Sequence, residues 1–400
     1  MTPPPGLSSS DRRRLAIAGS VGFLLLGLGA AIVGPALPAL RTQYGISDTA
    51  SSFLVSAFWA GSVVGVITGG ALLPRWPPRY LLSTGFALMA AGALAVAGAS
   101  SAVLAGLGLA LYGLGFGMLD IGINLTVARA YASGSGAALI AVNASYGIGA
   151  IVGPLIVART PGDAGSPFLV FAAGAGVLVL LTLTVRAAAI PTSPRVPTDS
   201  RIVWLLVGFA LLLVTYVATE TGASAWETTH LLGTTSMSAA AAARANSLFW
   251  VGLTLGRFLG APLALRYSPP TLVFASLTMA GLSFVLATWT GAAVVAYGLV
   301  GFFLAPMFPT VIAWMARAVP SGQGATLVFA LALAGPVVVS PLLGASADHL
   351  GAGSIPVALA VLTAITLGTA VSLARRLRTP VELEPAVAAS GQSAGLGERS

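Results

Sequence analysis

Apolar stretches of about 18 or more residues, each long enough to span a bilayer, recur from one end of this chain to the other. That recurrence decides what the chain folds into. A helix rises 1.5 Å per residue, so about 20 apolar residues cross the roughly 30 Å hydrocarbon layer. Soluble domains carry roughly 25% charged residues. Here the share is 8%, with a mean hydropathy of +0.94. A membrane barrel would show segments of about ten residues alternating apolar and polar, and the sequence has no such alternation. The expected fold class is therefore an all-α polytopic membrane protein.

Turn and charge clusters divide the runs into twelve transmembrane helices. The first six lie at 15–40, 49–73, 79–99, 101–127, 135–159 and 166–188. The second six lie at 201–226, 244–265, 270–289, 291–315, 323–346 and 353–374. Between them, AAAIPTSPRVPTDSR has three prolines and no apolar period. The organisation expected is a cytoplasmic tail (1–14), a six-helix bundle (15–188), a cytoplasmic linker (189–200), a second six-helix bundle (201–378) and a disordered cytoplasmic tail (379–400).

All nineteen basic residues are Arg. With the N-terminus inside, fifteen fall in cytoplasmic segments and three (Arg41, Arg159, Arg244) outside, while Arg257 falls within a span. This is a strong positive-inside bias. It predicts cytoplasmic termini in a bacterial inner (plasma) membrane. The arginines are scattered over short loops rather than gathered on one stripe, so the net charge of +8 predicts topology and not nucleic-acid binding.

Several chemistries have no residues to support them. The chain has no cysteine, and His230 and His349 stand in no metal-ligand spacing. Neither a phosphate-binding loop nor a dinucleotide fingerprint is present. No metal or cofactor is expected, an enzyme or ATP-driven pump is not expected, and the chain reads as a monomer.

The two halves repeat. FWAGSVVGVITGG (58–70) parallels FWVGLTLGRFLGA (249–261), and ARAYASGSGAALI (128–140) parallels ARAVPSGQGATLV (316–328), at an offset of 185 to 192 residues. Two parallel sixes joined by a cytoplasmic linker resemble the major facilitator superfamily. The resemblance implies two six-helix bundles in 6+6 pseudo-symmetry, with solute held near the midplane between them. It also assigns gating to Arg75, Arg79, Arg129, Arg257 and Arg317. One motif departs: after the second helix, Pro74 stands where the family has an Asp that latches the inner gate, and Pro77 replaces a Gly.

Ionisable side chains at bilayer depth cost on the order of 2.5–3.5 kcal/mol and are normally turned to a cavity or partner. Asp120, Glu220 and Arg257 lie at such depth, with Glu227 expected at the outer mouth of the seventh helix. Asp120 and Asn124 share a helix face at i and i+4. An apolar setting favours the neutral form of a carboxyl group, which suits a group that takes up and releases a proton. A structural pair between Asp120 and Arg129 is the plain alternative, but about 13 Å of helix separates them.

GFGMLDIGIN (115–124) resembles the fourth helix of the fucose and glucose/galactose proton symporters, VNASYGIGAI (142–151) their fifth, and YVATETGASAW (216–226) their seventh. That resemblance implies proton coupling at Asp120 and Glu220. It implies solute contacts from Asn124, Asn143 and Glu220, and from Tyr146, which replaces a family Asn; aromatic rings can stack on a sugar's apolar faces, which adds Trp226, Trp250 and Tyr297 by their neighbours or symmetric positions, with Asn246 a weaker candidate. The family's first-helix acid is missing, since Ile32 to Pro35 reads Ile-Val-Gly-Pro; the internal repeat sets Gly34 opposite Glu220. The function implied is proton-coupled symport of a small polar solute, a monosaccharide above others, driven by the proton gradient. Gly149-Ala-Ile-Val-Gly153-Pro154 keeps open the alternative of a proton-driven drug antiporter.

Overall fold

A computed structural model of the chain describes residues 9–131, 135–184, 200–319 and 325–378, with the side chains of a few further helical residues left out. The linker and the C-terminal tail expected from sequence lie outside the described residues, as does the side chain of Arg129.

The first half is built from α1 (Ser9–Tyr44), α2 (Asp48–Leu72), α3 (Pro78–Ala97), α4 (Ala102–Tyr131), α5 (Ser135–Val157) and α6 (Ser166–Leu183). The second is built from α7 (Ser200–Thr234), α8 (Ala239–Arg266), α9 (Pro269–Ala287), α10 (Ala293–Leu304), α11 (Met307–Ala318), α12 (Ala325–Ala332), α13 (Gly335–Leu350) and α14 (Ser354–Arg378). Among the described residues eleven stretches are long and apolar enough to cross a membrane, and α5 adds the shorter described stretch Val142–Val157. The chain is a multi-pass membrane protein with the twelve-span fold.

Two expected spans are each broken. The tenth divides into α10 and α11 at Ala305 and Pro306, and the eleventh into α12 and α13 at Leu333 and Ala334. In both cases a proline follows or forms the break (Pro306, Pro336), because its ring nitrogen has no hydrogen to donate to the preceding turn. The seventh span also runs eight residues past the expected 226, to Thr234. The polar run ETTHLLGT reads as a loop, but as helix it satisfies its own backbone and packs inward.

The repeat has a counterpart in packing. In the first half α2 lies on α4, α3 on α4, and α3 on α6; in the second α8 lies on α10, α9 on α10, and α9 on α14. Glycine permits the closest of these approaches: Gly113 and Gly117 on α4 sit against the carbonyls of Phe58 and Ser62 on α2.

The halves meet through α2 with α13, α5 with α8, and α1 with α7. Hydrogen bonds between them gather toward the end that carries the α1–α2 and α13–α14 turns. Ser56 Oγ donates to Val337 O at 2.9 Å, Ser247 Oγ to Ile151 O at 3.0 Å, and the Asp348 carboxylate accepts from the start of α2. At the opposite end, where residues 185–199 join the halves, α4 and α11 make no extensive contact among the described residues. Among the described residues, the halves close on each other at the first end, while α4 and α11 stand apart at the linker end.

Candidate functional site

Asp120 stands on α4 about 17 Å before that helix ends at Tyr131, deep within the bundle. Asn124, one turn on, donates from Nδ2 to the Asp120 Oδ1 at 3.1 Å and to the Asp120 carbonyl at 3.0 Å. Its Oδ1 accepts from Asn143 Nδ2 on α5 at 3.2 Å. A carboxylate and two amides thus form one chain across two helices, and all three keep part of their surface accessible. Tyr146, one turn beyond Asn143, lies edge-on to Phe23 of α1 and to Trp250 of α8, with ring centroids 6.4 Å and 6.2 Å apart. The Tyr146–Trp250 contact crosses between the halves.

Glu220 faces this group from α7. The Tyr216 hydroxyl, one turn earlier on α7, donates to its carboxylate. Arg257 of α8 lies within electrostatic range of Glu220, and Tyr146 within range of Glu220, Arg257 and Asp120. Four charged or polar groups from α4, α5, α7 and α8 therefore share one region at mid-depth. Arg257 belongs to it, and not to the linker end where the other gating candidates stand.

Among those, Arg75 is exposed and donates to the Ala71 carbonyl at 2.9 Å. Arg79 lies over the Tyr80 ring at 4.8 Å, and Arg317 is exposed on the last turn of α11. Each stays on its own half, as the separation of the halves at that end requires.

The stacking candidates divide. Trp250 is with the site. Trp226 is fully buried, and Tyr297, also fully buried, faces His230 Nδ1 through its hydroxyl at 3.3 Å. Neither is brought together with Asp120. Glu227, expected at the outer mouth of the seventh helix, stands in the last turns of α7 with its side chain completely buried and bonded to Asn246. Gly34, the position opposite Glu220 in the repeat, lies where α1 crosses α7, against the backbone of Ser224 and Ala225. No side chain fits at Gly34 in this conformation. Tyr216 was not singled out from sequence, though its i, i+4 spacing to Glu220 matches that of Asp120 to Asn124.

Outside the membrane-spanning segments, Asp163 caps the start of α6. It accepts from the Ser166 hydroxyl and from the Gly165 and Ser166 N–H groups at 2.8 Å and 3.1 Å, which hold its carboxyl below the usual carboxylate range. Among the described residues no group of His, Cys, Asp and Glu is placed to hold a metal ion.

Two pseudo-symmetric helical halves, closed on each other at one end and sharing polar side chains at mid-depth, define a transporter bundle. The sequence model of the Major Facilitator Superfamily matches residues 19–243, more than half of the chain, and the chain belongs to that superfamily. No curated protein sequence matches it. Among solved structures, the D-xylose–proton symporter is similar at 14% identity and TM-score 0.71, over 90% of this chain and 97% of that one. The nucleoside transporter NupG is similar at 15% and 0.70, over 92% and 100%. A mutant form of the E. coli fucose:proton symporter FucP is similar at 17% and 0.62, over 90% and 98%. At these identities the likeness is one of fold.

Proposed function

We propose that the chain is a proton-coupled symporter of a small polar solute, a monosaccharide above others, with Asp120 as the coupling carboxylate. The observation that carries this reading is the Asp120–Asn124–Asn143 chain, a titratable group wired directly to two amides that can meet hydroxyl groups. Tyr146 and Trp250 offer aromatic faces to the same space, and Glu220, held by Tyr216, offers a second acceptor. A carrier of carboxylates or phosphates would need several cationic donors, and among the described side chains Arg257 is the one near this group. The solute shifts the two access states only by its differential affinity for them, so a proton on Asp120 that alters the amide chain alters that preference directly.

The distribution of arginines supports cytoplasmic termini in a bacterial inner membrane. On that orientation the linker end is the inner end, and the conformation faces inward. Arg75, Arg79, Arg129 and Arg317 then flank the inner gate. The proton gradient supplies the energy without a bound cofactor. The packing of Gly149 against the Leu24 carbonyl of α1 supports a reading of the antiporter-like core at Gly149–Pro154 as helix packing.

Uptake of labelled hexoses into proteoliposomes, with and without an inward proton gradient, tests the reading. Gradient-dependent accumulation of a hexose is expected. No accumulation of any sugar, together with gradient-driven extrusion of lipophilic cations, would replace it with the antiporter.

A further inference from the structure

Near the closed end a second polar cluster is sealed away from the candidate site. Glu227 on α7 and Asn246 on α8 are both completely buried. The Asn246 amide donates to Glu227 Oε2 at 2.9 Å and to the Ser224 carbonyl at 2.9 Å, which uses both of its hydrogens. Two acceptors remain without a donor: Glu227 Oε1 and Asn246 Oδ1, each on a planar group already joined to the other at one corner. Buried polar atoms are nearly always satisfied, and a single hydrogen would satisfy both of these.

Among the described residues no arginine is paired with Glu227, and the neighbouring His230 turns its Nδ1 to the Tyr297 hydroxyl instead. The ion pair found among the described residues is Arg41–Asp48, at the ends of α1 and α2. On α8, Arg244 is exposed; on α13, Asp348 and His349 are exposed; on α11, Arg317 is at the far end. On α10, the Tyr297 hydroxyl lies within electrostatic range of Glu227 but faces His230, a turn further along α7, at 3.3 Å. An ionised Glu227 would therefore be a buried, unpaired charge, an arrangement proteins avoid by neutralising the group.

We propose that Glu227 carries a proton in this conformation and donates it from Oε1 to Asn246 Oδ1, so that a carboxylic acid–carboxamide pair fastens α7 to α8 at the closed end. Opening that end admits water, and the O–H bond then breaks to give carboxylate and a proton passed to solvent. Proton occupancy at Glu227 and closure of this end are thereby linked. The role of that proton in transport rests on the symport reading above; its presence in the folded protein does not.

The test is infrared spectroscopy of the purified full-length protein in lipid at neutral pH. The expected spectrum contains a hydrogen-bonded carboxylic acid C=O band that Glu227→Gln removes and that Asn246→Leu shifts to the position of a free acid. Glu227→Gln can make both bonds of the pair with a neutral amide, so it is expected to unfold at the wild-type temperature while Glu227→Ala unfolds earlier. A wild-type carboxylic acid signal retained in full by Glu227→Gln overturns the proposal. So does an unmoved band in Asn246→Leu, or a Glu227→Gln protein that fails to fold or melts as early as Glu227→Ala. None of these measurements needs a transported solute, so failure of the symport reading leaves their result standing, and the reverse also holds.

Discussion

The carboxylate of Asp348, on α13, closes over Thr49 at the first turn of α2, accepting its N–H at 2.7 Å with one oxygen and the Asp48 N–H at 2.9 Å with the other. The first N–H groups of a helix have no partner within it and favour a negative charge. Asp348 supplies both partner and charge from the other half of the molecule. The opposite end carries Pro74 where the superfamily's latching acid is expected.

Removing the Asp348 carboxylate shifts the molecule toward opening of the closed end. A cap of this kind contributes about 1 kcal/mol, or about a fivefold change in equilibrium. The chain has no cysteine, so Ser52→Cys, buried where α2 meets Gly344 of α13 and bonded only within α2, reports opening through labelling by a water-soluble maleimide. Asp348→Ala is expected to raise its labelling rate about fivefold; an unchanged rate means that Asp348 does not hold the halves together.

Asp120→Asn keeps the size and the bond to Asn124 but cannot exchange a proton. Gradient-driven accumulation of solute is expected to vanish while counterflow exchange continues. Accumulation that survives the substitution removes Asp120 from the coupling role.

Tyr216→Phe deletes one hydroxyl and with it the bond to Glu220. Hydrogen bonds to charged groups contribute about 1.5–3 kcal/mol, and the partial exposure of Glu220 puts the expected loss of solute affinity near the lower figure, about tenfold. Titration of binding in detergent measures it. Wild-type affinity in both Tyr216→Phe and Glu220→Gln would show that Glu220 takes no part in the site.

Gly34→Val places a branched side chain against the α7 backbone. Overpacking costs about 1–3 kcal/mol, so opening, read again at Ser52→Cys, is expected to rise on the order of tenfold, with solute flux falling in step. Wild-type labelling in this variant would mean that α1 and α7 do not need to approach at Gly34 for closure.

The spans were legible because a helix in lipid must satisfy its own backbone, which leaves long apolar runs as its trace. Asp120 with Asn124 was legible for a related reason: i, i+4 spacing fixes a shared face within one helix. The Asn143–Asn124 bond and the crossing of Tyr146 to Trp250 were not, because periodicity says nothing about which faces of different helices meet. The burial of Glu227 was not legible either. Thr228, Thr229 and His230 beside it give the sequence of a loop, and only burial against α8 and α10 makes that stretch an interior one.

The interruption between α10 and α11 also has a mechanical meaning. Pro306 leaves the Phe302 carbonyl without its usual donor, so the segment beyond it is a lever pivoting on a weakened point. Arg317 lies ~16 Å along that lever, at 1.5 Å per residue. A swing of about 10° at the pivot carries its guanidinium-bearing turn sideways by ~3 Å, on the same helical rise. A small angular change in mid-membrane is thereby converted into a displacement as wide as a water molecule at the rim.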